Sequence, residues 1–267
     1  METYRDLFIR VEATLKEVST LPPDLFELRF GEFKRYEERK LSDVDYFRIM
    51  VEVVFYSGFK AGTVTKKLGK IREYFPDHVT VAKYGEEDIC MILSDSEIIR
   101  NRRKIEAVIE NARTFNDIIL KYGSFGNYVK SFKPKESFEN LMRFREDIKH
   151  RFEYLGDITA YHFMMDIGLP VIKPDRVLTR IFKRLGLIES EDKHLEVLEQ
   201  AQRFSLATGY PLRYIDIIFV KYGQMGKDEY FGLEDGICLE KNPKCEICGI
   251  RKYCKYVPSV GQGRSRL

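Results

Sequence analysis

Apolar residues recur at helical spacing along almost the whole chain, and no stretch shows a convincing strand alternation. Leu7, Phe8, Val11, Leu15 and Val18 mark an amphipathic first helix, which Leu21-Pro22-Pro23 ends. A strongly apolar helix is expected from Asp43 to Tyr56 behind a Ser42 cap. It carries Glu52 among Ile49, Met50, Val51, Val53 and Val54, so that acid either faces solvent on the one polar side or serves a pocket. Ser57-Gly-Phe-Lys-Ala-Gly62 breaks the pattern, and a helix resumes from Thr63 to Tyr74. Short helices follow, where Cys90 lies beside Ile89, Met91 and Ile92 and reads as a buried thiol. A long helix from about Ile98 to Tyr122 is expected to start at a cap on Asp95 or Ser96. Further helices are expected up to His150, at Asp192 to Phe204 and at Leu212 to Tyr222. The fold class is all-α.

Between the helix ending near His150 and the one starting at Asp192 lies Phe152-Glu-Tyr-Leu-Gly-Asp-Ile-Thr-Ala160, followed by an apolar helix carrying Phe163, Met164 and Ile167. Gly156 allows a sharp turn or a close backbone approach, and a helix start exposes N–H groups that bind anions. Pro170 and Pro174 then punctuate an extended loop. Asp175 stands where an N-cap would begin a helix from Arg176 to Leu185. The stretch reads as a phosphate grip followed by a carboxylate.

A chain of 267 residues can bury a core without disulfide staples. Its apolar runs fall far short of a membrane span. The charged opening Met1-Glu-Thr-Tyr-Arg-Asp is not a secretory leader, so a cytoplasmic location is expected. The net charge of +3, from 45 basic and 42 acidic residues, permits a nucleic-acid partner without announcing one. Positive charge concentrates in Arg100, Arg102, Arg103 and Lys104, at the start of a helix, where the dipole disfavours it. Phosphate contacts would compensate that placement, with Asn101 available to a base or sugar. The tail Gly261-Gln-Gly-Arg-Ser-Arg-Leu267 is expected to be disordered.

Four of the five cysteines fall in the final segment, as Cys238-x6-Cys245-x2-Cys248-x5-Cys254. Four thiolates so close in sequence can hold zinc or a [4Fe-4S] cluster. Zinc ribbons pair two short knuckles, and only one is present here, which favours the cluster.

The cysteine loop resembles that of the endonuclease III branch of the helix-hairpin-helix DNA glycosylases. The hairpin resembles that family's Leu-Pro-Gly-Val-Gly-x-Lys/x-Thr-Ala, keeping Gly156, Thr159 and Ala160, with Tyr154 in place of the first glycine. Asp175 falls close to the separation of the family's essential aspartate. Ser57-Gly-Phe-Lys-Ala-Gly62, the Ile98 to Ala107 segment, Asn111-Ala-Arg and Gly123-Ser-Phe-Gly-Asn-Tyr128 are similar to 3-methyladenine DNA glycosylase I, whose pattern has a pocket glutamate where this chain has Ser57.

These resemblances imply a two-lobed helix-hairpin-helix fold with a C-terminal [4Fe-4S] loop. The expected division is a barrel lobe over 42–165, a second lobe of 1–41 plus 166–237, the cluster loop over 238–254 and a flexible tail over 255–267. They imply a base-excision enzyme acting as a monomer on double-stranded DNA containing a damaged base. Asp175 would support loss of the base. Leu155, Gly156, Asp157, Ile158, Thr159 and Ala160 would grip phosphates, as would Arg100, Arg102 and Arg103 with Asn101, and Lys241, Lys244, Arg251 and Lys252 in the loop. Phe55, Tyr56, Phe59, Tyr161 and Glu52 would line the pocket for the extruded base. Ile99 or Arg100 would fill the gap in the duplex. Ile158 stands where bifunctional relatives carry a Schiff-base lysine, so the implied enzyme is monofunctional, with Lys173 the one nearby amine that could give weak lyase activity. An alkylated purine is the implied substrate, and deaminated or mismatched bases are the alternative, with a non-catalytic DNA-binding module a further one.

Overall fold

A computed structural model describes residues 2–256, so the tail expected to be disordered lies outside the described residues. The described chain is helical, with no strand and a single isolated bridge between Asp228 and Leu233. The helices in order are α1 (Glu2–Val18), α2 (Pro23–Gly31), α3 (Asp43–Tyr56), α4 (Ala61–Thr65), α5 (Leu68–Tyr74), α6 (His78–Val81) and α7 (Glu86–Ser94). They continue as α8 (Arg102–Tyr122), α9 (Phe125–Ser131), α10 (Phe138–Arg151), α11 (Thr159–Asp166), α12 (Arg176–Leu185), α13 (His194–Thr208) and α14 (Leu212–Gly223). Among the described residues no helix is long and apolar enough to cross a membrane.

Two compact units share these helices. One is Arg35–Lys173; the other joins Met1–Lys34 to Pro174–Leu267. The Arg35–Lys173 unit is built around α3, which packs against α8 and α11. Phe47, Met50, Val51, Val53, Val54 and Phe55 of α3 are all buried. Ser42 and Asp45 close a reciprocal capping box at its start, each side chain bonded to the other's backbone N–H. Phe115 of α8 is fully buried and stacks on Phe125, with ring centroids 4.2 Å apart and planes 2° from parallel. Phe47 and His78 meet the same ring at 5.7 and 5.0 Å. Aromatic packing therefore sets where α8 lies.

In the other unit α1 packs against α13 and α14, and α12 against α14. Phe204 and Phe219 meet at 4.9 Å and Phe182 and Phe219 at 5.3 Å. The first helix is thus part of the core formed by the last ones. Thr20 N–H donates to the Gly232 carbonyl at 2.8 Å and seals that return.

Three local expectations are corrected. The long helix begins at Arg102 with Asn101 as its N-cap, because the Asn101 side chain accepts the Lys104 N–H at 3.2 Å. Asp95 instead ends α7 and accepts the Glu97 N–H at 2.7 Å. The helix expected from Thr63 to Tyr74 is two, α4 and α5, interrupted at Lys66 and Lys67. Cys90 is exposed, because α7 turns Ile89 and Ile92 inward and leaves the next position on the solvent side.

Phe115→Ala removes the ring that three others meet. It should lower unfolding stability by about 3–5 kcal/mol, readable as an earlier urea midpoint with an unchanged slope.

Candidate functional site

The turn between α10 and α11 is held by side chains from two helices, α8 and α11. Asn111, buried in α8, donates its amide N–H to the Glu153 carbonyl at 3.0 Å and accepts the Glu153 N–H at 2.8 Å. The Thr159 hydroxyl accepts the Gly156 N–H at 2.7 Å and donates to the Tyr154 carbonyl at 2.5 Å. Leu155 is fully buried beneath the turn, while Gly156 and Asp157 are exposed and Ile158 and Thr159 half-buried. Ala160 lies in the core at the first turn of α11. The exposed edge is the backbone around Gly156 and Asp157.

Tyr154 occupies left-handed backbone, with φ at 63°. For a residue other than glycine that conformation costs about 1–2 kcal/mol. Tyr154 stands where the hairpin resemblance has a glycine, and its backbone takes a shape that glycine adopts freely. The Tyr154 ring lies 4.6 Å from the Lys104 ammonium.

Lys104, which the sequence shows only as part of a basic run, lies at this turn. It is buried, and its ammonium donates to the Val54 carbonyl and, at 2.6 Å, to that of Ser57. Those carbonyls end α3, so the amine caps the negative end of that helix. It also faces Phe59 at 5.4 Å. Burial pushes its pKa down to about 8 from 10.5. The signal in the sequence was a fourth basic residue in the Arg100 to Lys104 run, at a helical position whose spacing turns it inward.

The other cations at the start of α8 have separate surroundings. Arg102 pairs with Glu86 at 2.8 Å and Glu106 at 3.3 Å. Part of the dipole penalty is therefore relieved within the protein. Arg100 is exposed, and Arg103 lines an open groove with Tyr154. Ile99 is buried. On the hairpin, Asp157 pairs with Lys149 at 2.5 Å and Arg145 at 3.2 Å, which hold its carboxyl below the usual range.

The expected base-pocket residues do not share one environment. Phe55 is fully buried against Phe75, and Tyr161 is buried with Arg145 4.4 Å from its ring. Phe59 is exposed. Tyr56 is half-buried, bonds Thr65 at 3.0 Å, and lies 6.1 Å from the ring of His162. Glu52 pairs with Arg72 at 2.8 Å, on the polar side of α3. Tyr56 and Glu52 stand together there, since the charge of Glu52 helps raise the Tyr56 pKa after burial itself.

Within the other unit, Asp175 is the N-cap of α12. One carboxylate oxygen accepts the Val177 N–H at 2.9 Å and the Leu178 N–H at 3.1 Å. The backbone thereby fixes the direction of the acid. Five residues on, buried Arg180 donates to the carbonyls of Gly223 at 2.7 Å and Cys238 at 3.2 Å, tying α12 to the start of the cysteine loop. A Cβ on Gly223 would sit 3.1 Å from that guanidinium and 2.7 Å from Val177, so only glycine leaves the arginine its place.

Cys238, Cys245, Cys248 and Cys254 are free thiols that line one small cavity. Among the described residues no group of three or more His, Cys, Asp or Glu side chains is placed to hold a metal ion. Two donors are aimed at these sulfurs: Arg184 at that of Cys238 and the Tyr222 hydroxyl at that of Cys248, both at 3.2 Å. Burial raises both thiols, and these two donors oppose the rise. Four sulfurs around a cavity, with N–H and O–H donors behind them, suit a thiolate-bound cluster. Gly249 lets the loop approach α1, since a Cβ there would collide with the Thr14 hydroxyl and lie 2.9 Å from the Arg10 carbonyl.

The arrangement of helices is that of the helix-hairpin-helix DNA glycosylases: a trapped endonuclease III–DNA covalent intermediate superposes with a TM-score of 0.54, covering 88% of this chain and 97% of that one at 17% identity. Residues 36–173 match the methyladenine glycosylase family, and the chain belongs to it. DNA-3-methyladenine glycosylase 1 of Escherichia coli (strain K12) is 30% identical over 141 residues, 45% of this chain and 75% of the relative. Endonuclease III of Thermotoga maritima is 24% identical over 230 residues, 85% of this chain and 91% of the relative. The chain is a DNA glycosylase.

Lys104 supplies a pH signature. Between about pH 8 and 10.5 the unfolded chain binds a proton that the folded one has released, so this group makes stability rise with pH across that window. Urea unfolding at a series of pH values should show that rise in the parent and a flatter profile in Lys104→Met.

Proposed function

We propose that this enzyme is a monofunctional DNA glycosylase that hydrolyses the N-glycosidic bond of a flipped alkylated purine of the 3-methyladenine type. The observation that carries the reading is the family match over residues 36–173, which takes in nearly the whole Arg35–Lys173 unit and its hairpin. The enzyme works as a monomer in the cytoplasm on double-stranded DNA containing the lesion.

In this reading the hairpin from Leu155 to Ala160 holds the DNA backbone without regard to sequence, with Arg100, Asn101, Arg102 and Arg103 adding to the grip. Tyr56, Glu52 and Phe59 meet the extruded base, with Phe55 and Tyr161 behind them. Asp175 places its carboxylate near the anomeric carbon, where it stabilises the oxocarbenium-like sugar and orients or deprotonates water. The helix N–H groups that bond it prevent the side chain from swinging away. Ile158 offers no amine for a Schiff base, so the strand is left uncut.

Cys238, Cys245, Cys248 and Cys254 would hold a [4Fe-4S] cluster. When bound, it supplies a rigid cross-link for a segment that has little core of its own. Lys241, Lys244, Arg251 and Lys252 on that loop then contact phosphates. In a second reading the substrate is a deaminated or mismatched base.

Duplexes bearing single lesions decide between the two. Release of 3-methyladenine supports the first reading, release only of uracil, hypoxanthine or a mispaired base the second, and no release of any base overturns both. Asp175→Asn keeps a side chain able to cap α12, so thermal stability should hold while single-turnover excision falls by about 10²–10⁴-fold. Retained turnover would remove Asp175 from the mechanism. Anaerobically purified protein should be brown and lose its colour when all four cysteines are replaced by serine.

A further inference from the structure

Tyr154 is kept in a backbone conformation that glycine would occupy without strain. Strain of this kind persists when the surroundings over-determine it, and it gathers where function uses the side chain. The surroundings here do so: Asn111 clamps the preceding residue through both of its backbone groups, and Thr159 holds the Tyr154 carbonyl. The ring itself is half-buried, with the Lys104 ammonium 4.6 Å from its centroid. It lines an open groove of about 570 Å³ between the first turns of α8 and the hairpin, and Arg103 lines the same groove. Two of the acids there already have partners, Glu106 in Arg102 and Glu110 in Arg113.

We propose that Tyr154 is a strand contact of the hairpin, its ring packing on a deoxyribose of the bound duplex while Arg103 takes the adjoining phosphate. The proposal rests on the reading of the hairpin as the DNA grip and adds to it a side chain where backbone alone was expected. A ring face is sequence-tolerant, as a phosphate grip must be, and one fixed in advance by a buried ammonium loses little freedom on binding.

The probe is a duplex with one tetrahydrofuran abasic analogue, titrated by fluorescence anisotropy. If the parent fails to bind it, the reading of the whole chain as a DNA glycosylase acting through this hairpin fails, and this proposal with it. With the parent binding, Tyr154→Gly relieves the left-handed strain, so its melting temperature should stay level or rise while binding weakens about tenfold. Tyr154→Phe keeps the ring and should bind within about twofold of the parent. Unweakened binding in Tyr154→Gly overturns the proposal, and so does weakened binding that comes with a lower melting temperature, which would make the ring a structural prop. Arg103→Ala should lower the slope of log K against log salt by about one phosphate's worth, and an unchanged slope removes Arg103 from the contact.

Discussion

The hairpin depends on one buried amide. Asn111 sits on the apolar face of α8, where an unpaired amide would be costly, and both its donor and its acceptor are satisfied by the backbone of Glu153. That exchange imitates a β-type pair between a side chain and a main chain. It fixes the height at which the turn leaves α10, and Leu155, Tyr154 and Thr159 follow from it. The position of α8 is set in turn by the stacked rings of Phe115 and Phe125. Aromatic packing, an amide pair and a strained turn thus form one chain of dependence within the unit.

The helical fold was legible because its cause is periodic. Apolar spacing located α1, α3, α12 and α14 to within a few residues, and the Ser42 cap was readable as a side chain of the right type in the right place. The start of α8 was less legible, since Asp95, Ser96 and Asn101 are all competent caps and only the backbone geometry selects among them. Cys90 shows the same limit. A thiol among apolar neighbours can point either way, and one step of 100° around α7 decides it. The helix Pro23–Gly31 is fixed by burial of Phe26 and Phe30 against the later chain, as in the 4.4 Å contact of Phe30 with Phe231.

The candidate site divided along similar lines. Motif residues such as Gly156, Thr159, Asp175 and the four cysteines were visible because their chemistry depends on spacing along the chain. Lys104, Arg180, Arg184 and Tyr222 were not, because their roles depend on carbonyls and sulfurs supplied from distant segments. A lysine in a run of basic residues looks like surface charge until the end of another helix is seen beneath it. Glu52 likewise carries two readings in the sequence, and its partner Arg72 comes from another helix.

The sealing bond between Thr20 and Gly232 has a consequence for how the protein is made. Helix α1 is made before the helices that cover its apolar face, α13 and α14. The Arg35–Lys173 unit is contiguous and can fold during synthesis, as domains generally do. During that interval Leu7, Phe8, Val11 and Leu15 have no partner, and closing so long a loop is the slow kind of step. The apolar face of α1 therefore stays uncovered in the newborn chain until α13 and α14 have been made.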